Sequence, residues 1–478
     1  MQVRNYDSEP NLEYLFHPRS IAIIGVSSDT SGINIGQSYL QSLLSFGYKG
    51  KIYPVGRGGG EIFGLKIYPS INDIPDTVDY VISAIPARYI FQLITDCASK
   101  GVKTIQMFTA GFSELEDEEG KQLQAQLVAT AQKMGVRIIG PNCFGLYYPK
   151  TGLSFPPCLP EESSKESSPV GFISQSGGNS VIAIREGAAR GVYFSKVISY
   201  GNACDLDETD FLEYLTHDPE IRIIAIYIEG VKDGRRFIQA LREASAVKPI
   251  IIYKGGITEG GARAAASHTG AMAGQNIIWN SLIRQVGAVQ VDSMEGLLDI
   301  VLLFMHMAPP KGRNTAIMGV GGGFSVQAAD ACSTAGLTVP MLPAEIRRGL
   351  KEIYTSEVGG SHRNPVDMYW DREDLFKEAI RIVAGCDQTD LLILHISFVF
   401  ASTREGKNVK PYIESIVSLS NEINKRTAIV FHSIWVLEAT KSALETQQVL
   451  SKAGFPVYFS MSQAANAISK FIQYHQAG

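Results

Sequence analysis

The sequence predicts an α/β protein built from parallel sheets. Three segments begin alike, with an apolar strand, a glycine-rich turn and a helical pattern, and they start at Ser20, Val170 and Thr315. Further apolar runs such as Tyr80–Ile85 and Ile223–Ile228 alternate with helical patterns. Because parallel strands are buried on both faces and are joined through helices, short continuous apolar runs between helices favour parallel over antiparallel sheets.

Length and composition along the chain predict three domains. The chain has 478 residues, whereas an ordinary domain holds about 150. The segment Phe155–Pro169 is rich in Pro, Ser and Glu, and Met307–Arg313 contains a pair of prolines, so both are expected to be linkers or surface loops. We therefore expect domains near residues 1–153, 168–306 and 312–478.

The second and third domains also have similar opening turns. Ile173–Val181 aligns without a gap with Met318–Val326, and paired glycines followed by Ser-Val recur at the same offsets. This similarity indicates distant repeats, although two glycine-rich strand-to-helix turns can also resemble each other by chance.

Composition is typical of a cytoplasmic enzyme. Hydrophobic residues make up 45%, charged residues 19%, and the formal net charge is −5, so neither disorder nor a nucleic-acid surface is expected. No apolar run reaches the ~18 residues of a membrane helix, and the polar N-terminus does not resemble a signal peptide. The six cysteines are scattered without zinc-site spacing, so we expect reduced thiols and no metal site.

The first glycine-rich turn is a candidate phosphate-binding loop. Gly25, Ser27, Gly32 and Gly36 lie between a buried strand and a helical pattern, where glycine permits close approach of the backbone to a ligand. The spacing is not the dinucleotide fingerprint, and a structural turn without a ligand is an equally good interpretation. After the second strand, Arg57 occupies the region where a dinucleotide enzyme carries an acid, so it suits a phosphorylated ribose unless it is an ordinary loop cation.

Other loops at expected strand ends carry weaker signals. Gly140–Gly145, which includes Asn142 and Cys143, follows a strand and is either part of a ligand site or a rigid turn. His395 lies inside an apolar strand and is interpreted as a packing residue. The acidic run Asp205–Asp210 is explained by helix capping.

Two helix starts are candidate anion sites. The turns at Ser174–Gly178 and Gly319–Phe324 should present free backbone N–H groups, because the first N–H groups of a helix have no partner within it. The hydroxyls of Ser174 and Ser176 are possible additional donors. Two such helix starts facing one point would bind phosphate strongly, whereas either one alone is compatible with ordinary turn chemistry.

His268 is the candidate nucleophile. It lies in a run rich in Gly and Ala that follows a buried strand ending at Lys254. A lone histidine in such a loop is usually solvated and inert, but a neutral imidazole also suits a covalent role when a carboxylate holds its other nitrogen. Glu229, at the end of the strand Ile223–Ile228, is the best partner, and the alternative interpretation is a surface loop acid.

These motifs together resemble the NDP-forming acyl-CoA synthetases, and among them the α subunits of ADP-forming acetyl-CoA synthetases, which are akin to succinyl-CoA synthetase. The resemblance spans nearly the whole chain and rests on Pro18–Ser27, Tyr53–Val55, Gly140–Gly145, Phe172–Gly178, Tyr227–Gly230, Ser267–Gly274 and Asn364–Asp367. It implies a Rossmann-like CoA-binding domain followed by two flavodoxin-like, doubly wound parallel-sheet domains.

The resemblance also implies a reaction and a set of site residues. Acyl-CoA, ADP and phosphate would interconvert with carboxylic acid, CoA and ATP through an acyl phosphate and a phosphohistidine at His268, which Glu229 contacts. The CoA site would comprise Gly25, Ser27, Arg57, Pro86, Asn142 and Cys143. The phosphate site would comprise Ser174, Gln175, Ser176, Gly177, Gly178, Gly322 and Gly323.

Two loops depart from the family pattern. The usual Asn-Ala-Gly-Gly-Pro-Gly run of the last domain is replaced by Gly319–Phe324, and the Asn-Pro expected after Tyr53–Val55 is replaced by Gly56–Gly60. The alternative function is therefore a non-catalytic CoA-binding or regulatory subunit of the same fold. An NAD-dependent dehydrogenase is disfavoured, since no acid follows the second strand.

The nucleotide half of the reaction is expected on another chain. No Walker loop is present, and we identify no segment that would form an ATP-grasp site. We therefore expect ATP or ADP with Mg²⁺ on a separate ATP-grasp β subunit, in a hetero-oligomer such as α2β2. The acyl group is not determined by these motifs.

Overall fold

The computed structural model describes residues 12–115, 117–163, 167–263, 276–319, 321–354, 360–367, 372–398, 409–432 and 437–477. The chain divides into two compact units. Unit 1 comprises Met1–Ala188 and Tyr193–Met294, and unit 2 comprises Ala189–Val192 and Glu295–Gly478.

The first sheet of unit 1 is entirely parallel, with strands in the order β2-β1-β5-β6-β7. The strands of this region are β1 (Ser20–Ile24), β2 (Lys51–Val55), β3 (Glu61–Ile62), β4 (Leu65–Lys66), β5 (Tyr80–Ser83), β6 (Thr104–Met107) and β7 (Arg137–Ile139). The pair β3 and β4 forms a separate antiparallel hairpin. The helices are α1 (Glu13–Phe16), α2 (Ile35–Ser45), α3 (Ile90–Ser99) and α4 (Glu118–Met134).

The second sheet of unit 1 has the order β13-β12-β11-β9-β10-β8. Its strands are β8 (Gly145–Tyr147), β9 (Ser168–Ser174), β10 (Phe194–Ser199), β11 (Ile223–Ile228), β12 (Ile250–Lys254) and β13 (Val289–Val291). All pairs are parallel except the edge strand β8, which runs antiparallel to β10. The helices of this region are α5 (Gly177–Ala189), α6 (Glu208–His217), α7 (Gly234–Val247) and α8 (Asn276–Gln285). The next helix, α9 (Met294–His306), belongs to unit 2 from Glu295 onward.

Unit 2 contains the third sheet, whose strands are all parallel in the order β15-β14-β16-β17-β18. The strands are β14 (Thr315–Gly319), β15 (Val366–Asp367), β16 (Leu391–Ser397), β17 (Arg426–His432) and β18 (Val457–Tyr458). The helices are α10 (Gly322–Thr334), α11 (Ala344–Ile353), α12 (Glu373–Ala384), α13 (Lys410–Leu419), α14 (Leu437–Lys452) and α15 (Met461–Ala477).

All three sheets share one doubly wound order. In each, the first parallel strand along the chain lies between the second and the third, which is the flavodoxin-like arrangement. The prediction of parallel α/β sheets is therefore confirmed. Ligands of such sheets bind beyond the carboxyl ends of the strands, where the first strand meets the third.

Local sequence explains how the elements begin and why they are buried. Every residue of β11 is buried, as its continuous apolar run predicts. The acidic run before α6 is confirmed as a helix cap, because the Asp207 side chain accepts hydrogen bonds from Thr209 N and Asp210 N. In the part of the chain that the structure describes, no helix has the length and apolarity needed to cross a membrane.

Candidate functional site

The turn after β1 is a place of close backbone approach. Gly25 has φ +104°, and a Cβ there would lie 2.6 Å from Ala84 O. A Cβ on Gly36, in the first turn of α2, would lie 2.7 Å from Gly25 O. Both positions therefore require glycine for steric reasons.

A cavity of about 430 Å³ lies beyond the carboxyl ends of β1, β2 and β5. Its lining includes four residues of the predicted CoA site: Gly25, Ser27, Arg57 and Pro86. The other lining residues are Ile24, Val26, Ser28, Val55, Gly56, Gly58, Gly59, Pro69, Ser70, Ile71, Ile85, Tyr89, Gln92, Leu93 and Asp96.

The two other residues of the predicted CoA site lie apart from this cavity. Cys143 is buried, and its Sγ lies 3.5 Å from the carbonyl oxygen of Ile139, the last residue of β7. Burial raises the pKa of the Cys143 thiol. Asn142 has φ +58° and donates its backbone N–H to Thr109 O at 2.9 Å. Both residues therefore shape the turn that leads from β7 to β8.

Sequence reasoning missed the aromatic side chain beside Arg57 in the cavity lining, which is Tyr89. The Arg57 guanidinium lies over the Tyr89 ring, with Cζ 4.2 Å from the centroid, and the Arg88 guanidinium lies 4.8 Å from the same centroid. Hydrogen bonding and charge from Arg88, then from Arg57, lower the pKa of Tyr89. The sequence feature that could have revealed Tyr89 is the pair Arg88-Tyr89, which follows shortly after β5 at the ligand-binding edge of the sheet.

Glu229 lies at the equivalent edge of the second sheet. It directly follows β11, is only 5% exposed, and its Oε1 accepts a hydrogen bond from the Tyr227 hydroxyl at 3.0 Å. Burial and the neighbouring Glu229 carboxylate raise the pKa of Tyr227, so this hydroxyl remains a donor. The carboxylate is thus held in a buried position rather than in a surface loop.

Gln175 fixes the backbone that carries Glu229. Its Oε1 accepts hydrogen bonds from Glu229 N at 2.8 Å and from Gly230 N at 3.2 Å. Its own backbone N–H donates to Tyr227 O at 3.1 Å. Gln175 therefore links the carboxyl ends of β9 and β11, and its side-chain carbonyl is used in that link.

The two serines at the start of α5 are also engaged within the turn. Ser174 Oγ donates to Ser176 O at 2.7 Å and accepts from Ser176 N at 3.2 Å. Ser176 Oγ accepts from Asn179 N at 3.3 Å, as a helix cap does. The N–H groups of Gly177 and Gly178 have no acceptor among the described residues, so they are the open donors of this helix start.

Lys254 joins the ends of β11 and β12. It is 1% exposed, and its Nζ donates to Glu229 O at 2.7 Å and to Gly255 O. Burial lowers the pKa of this amine, and the Glu229 charge partly opposes that effect. A Cβ on Gly255 would lie 2.7 Å from the Tyr227 hydroxyl oxygen. The end of β12 therefore lies in close contact with Tyr227 and Glu229.

The predicted nucleophile His268 lies in 264–275, outside the described residues. Residues 259–263, a few positions after Gly255, are helical. Within the described ranges, no group of three or more His, Cys, Asp or Glu side chains could hold a metal ion.

The start of α10 in unit 2 differs from that of α5. Gly321 has φ +107° and donates its N–H to Asp367 Oδ1 at 2.6 Å. Gly322 and Gly323 occupy the first turn of the helix and are exposed. A Cβ on Gly322 would lie 3.4 Å from Asp367 Oδ2. A carboxylate therefore already lies at this helix start.

Two families of domains match the chain. The CoA binding domain family matches residues 19–149, and the succinyl-CoA ligase like flavodoxin domain family matches residues 167–304. The glycine-rich turn with its cavity lies in the first range, and Glu229 lies in the second.

Full-length relatives agree with these matches. The α subunits of the ADP-forming acetate–CoA ligases I and II of Pyrococcus furiosus are 35% and 34% identical to this chain. The first alignment covers 96% of both chains and the second 97% of both. A solved structure of the dinucleotide forming acetyl-coenzyme A synthetase 1 of Ca. Korarchaeum cryptofilum, in complex with phosphate and ADP, has a TM-score of 0.81 and 31% identity. The alignment covers 98% of this chain and 97% of the chain in that structure.

The fold and the comparisons define a CoA-binding ligase of the succinyl-CoA synthetase type. The chain belongs to the family of ADP-forming acyl-CoA synthetases and corresponds to their α subunits. The resemblance inferred from the sequence motifs is thereby confirmed.

Proposed function

We propose that this chain is the catalytic α subunit of an ADP-forming acyl-CoA synthetase, with His268 as the residue that carries the phosphoryl group. The enzyme would interconvert acyl-CoA, ADP and phosphate with carboxylic acid, CoA and ATP. The observation that carries the proposal is that Glu229 is buried at the carboxyl end of β11. The neighbouring strand β12 leads along the chain towards His268.

The proposed reaction consists of one acyl transfer followed by two phosphoryl transfers. A phosphate oxygen attacks the thioester carbonyl, forming acyl phosphate and releasing the CoA thiol. A nitrogen of His268 then attacks phosphorus, which forms phosphohistidine and releases the carboxylate. ADP finally accepts the phosphoryl group, giving ATP and a neutral histidine. A carboxylate on the second ring nitrogen keeps the first one free to attack, and Glu229 is our assignment for that role.

CoA is assigned to the cavity beside β1. Gly25 permits the close approach that a pyrophosphate needs, and Ser27 supplies a hydroxyl beside it. Arg57, stacked on Tyr89, offers a planar cation for a phosphate on the ribose. Pro86 forms part of the wall, while Asn142 and Cys143 act on the site only through the turn that they shape.

Phosphate is assigned to the starts of α5 and α10. The N–H groups of Gly177 and Gly178 are the proposed direct donors in unit 1, and Ser174, Gln175 and Ser176 hold the turn that orients them. Gly322 and Gly323 are the corresponding proposed donors in unit 2.

A partner is needed for the nucleotide. We propose an ATP-grasp β subunit that binds ATP or ADP with Mg²⁺, in a cytoplasmic hetero-oligomer. The absence of a Walker loop from the sequence motivates this assignment. We also propose the domain division 1–153, 168–306 and 312–478, which the ranges of the two family matches support.

The test is phosphorylation of the isolated chain. Incubation with acetyl-CoA and phosphate, followed by intact mass spectrometry, should give an acid-labile adduct of one phosphoryl group. His268→Ala should give no adduct, and ADP should remove the phosphoryl group rapidly only when the β subunit is added. Equal labelling of His268→Ala would refute the assignment, and CoA binding without any labelling would favour the non-catalytic alternative.

A further inference from the structure

The segment that follows β10 joins the second sheet of unit 1 to the first. Its backbone N–H groups at Asn202 and Cys204 donate to Pro141 O and Gly140 O, each at 3.0 Å. A Cβ on Gly201 would lie 2.2 Å from Pro141 O, so the two backbones are in direct contact there. The segment therefore lies against the turn that leads from β7 to β8.

The side chain of Asn202 reaches a second turn of the first sheet, the one after β6. Asn202 is 1% exposed, and its Nδ2 donates to Glu114 Oε2 and, at 3.1 Å, to Gln124 Oε1. The other oxygen of Glu114 accepts the backbone N–H groups of Gly111 and Phe112. Glu114 thus holds the turn after β6 with one carboxylate oxygen and Asn202 with the other.

The backbone of Asn202 contacts the loop that carries Glu229. Lys232 is three positions after Glu229, and its Nζ donates to Asn202 O at 2.8 Å and to Ala203 O at 2.7 Å. Asn202 therefore contacts the turn after β6 through its side chain and the loop after β11 through its carbonyl oxygen.

The turn after β6 also lies behind the wall of the cavity that we assign to CoA. Thr109 is two positions before Gly111, and its Oγ1 donates to Ile85 O at 2.7 Å. Ile85 is one of the residues that line this cavity. Through Asn202, a series of contacts thus connects the cavity wall to the loop that carries Glu229.

We infer that Asn202 is a positioning residue for the thioester step of the reaction. The inference rests on the proposed function, in which the thioester of CoA meets the phosphate beside Glu229. In that step a phosphate oxygen bonds to the thioester carbon, the C–S bond breaks, and CoA leaves as the thiol with the proton of the phosphate.

The spacing of the two sheets matters for this step alone. CoA is assigned to the first sheet and phosphate to the start of α5 in the second, so their spacing sets the distance between the reacting atoms. A misplacement of about 1 Å in such a distance can cost roughly 100-fold in rate. Phosphoryl transfer from an acyl phosphate to His268 does not involve CoA and therefore does not depend on this spacing.

Two labelling reactions of the full chain separate these steps. Acetyl-CoA with phosphate requires the thioester step, whereas acetyl phosphate labels His268 without it. Asn202→Asp replaces the donor that faces Glu114 with an acceptor. Rapid-quench labelling from acetyl-CoA and phosphate should slow roughly 100-fold, while labelling from acetyl phosphate should keep the wild-type rate. Asn424→Asp, at an exposed position between α13 and β17, is the control and should leave both rates unchanged.

A double variant restores the contact with donor and acceptor exchanged. When Asn202→Asp is combined with Glu114→Gln, the new amide can donate to the new carboxylate, and its oxygen can still accept from Gly111 and Phe112. Labelling from acetyl-CoA and phosphate should be about tenfold faster than in Asn202→Asp alone. Glu114→Gln alone should have a smaller effect, because the Asn202 amide can turn over and accept from it.

The outcomes distinguish this inference from the function on which it rests. Equal slowing of both labelling reactions in Asn202→Asp, folded by circular dichroism, would overturn the inference, because a merely structural defect affects both steps alike. A double variant as slow as Asn202→Asp would overturn it as well. A wild-type chain that neither acetyl-CoA with phosphate nor acetyl phosphate labels would instead refute the proposed function, and this inference with it.

Discussion

The helix starts of α5 and α10 have nearly the same sequence but different electrostatic surroundings. Each follows the first parallel strand of its sheet along the chain and begins with two glycines. At α5, the turn is held by side-chain amide and hydroxyl groups, and the N–H groups of Gly177 and Gly178 remain open. At α10, the Asp367 carboxylate accepts the N–H of Gly321 at 2.6 Å.

The difference shows that a glycine-rich turn does not by itself define an anion site. A helix start attracts anions through its N–H groups and its dipole, and a carboxylate at the same place satisfies part of that attraction. We therefore expect phosphate to bind more tightly at α5 than at α10. The residues that create this difference, Gln175 with Glu229 and Gly321 with Asp367, are 54 and 46 positions apart in the sequence.

The largest expected effect comes from adding a carboxylate at α5. Gly178→Asp should slow phosphorylation of the chain by about 100-fold, because the new charge repels phosphate at close range. The position has room, since a Cβ there meets only Ser176 Oγ at 3.8 Å. The unfolding temperature should not fall, because an acid in the first turn stabilises a helix.

The matched variant at α10 is Gly323→Asp, where a Cβ would meet no atom within 4 Å. It should slow phosphorylation less than tenfold, because Asp367 already opposes an anion there. Gly178→Asn and Gly323→Asn control for size without charge. An equal loss of rate in the two Asp variants, measured by rapid-quench labelling, would remove the distinction between the two helix starts.

A smaller effect, on stability, is expected from removing the hydrogen bonds by which Gln175 links the ends of β9 and β11. Gln175→Met removes the acceptor of two buried N–H groups, those of Glu229 and Gly230. Unfolding free energy should fall by about 2–6 kcal/mol, since each of the two unsatisfied buried donors costs roughly 1–3 kcal/mol. Urea unfolding followed by circular dichroism measures the change. Gln126→Met, at an exposed position of α4, is the control and should change stability by less than about 0.5 kcal/mol.

The smallest effect concerns pH and unit 2. The pKa of His395 is lowered from 6.5 to about 4, so protonation favours the unfolded state. The stabilisation is complete above pH 6.5 and is lost as the pH falls towards 4. Between about pH 7 and about pH 5.5, we expect a loss of about 1 kcal/mol. His395→Asn should remove most of this slope in urea unfolding, apart from a same-signed part from His432, whose pKa burial also lowers. An unchanged slope would show that His395 is not the responsible group.

The fold was largely predictable from the sequence. The run Ile223–Ile228 is β11 as expected, and the glycine pair Gly177-Gly178 opens α5. Strands buried on both faces can be recognised in the sequence by their continuous apolar runs, and glycines indicate where the chain turns. The antiparallel edge strand β8 was not foreseen, because three residues after a turn carry too weak a pattern.

The candidate site was predictable only in part. Glu229 could be recognised, since a carboxylate directly after an apolar run lies at the ligand edge of a parallel sheet. The link from Gln175 to Glu229 could not be recognised, because it joins two strands through a side chain whose partner no local pattern specifies. His395 was interpreted as a packing residue; it is buried, but it also lines a cavity that only the packing of α10 and α15 creates.

The most direct test of the account is the single-turnover rate at which acetyl-CoA and phosphate label Glu229→Gln. The substituted amide keeps an acceptor for the Tyr227 hydroxyl but removes the charge that should orient and stabilise the reacting imidazole. We predict a rate about 100-fold below wild type, with Glu186→Gln, an exposed position on α5, labelled at the wild-type rate. Labelling of folded Glu229→Gln as fast as Glu186→Gln would contradict the assignment of the phosphoryl-transfer centre to this edge of the second sheet.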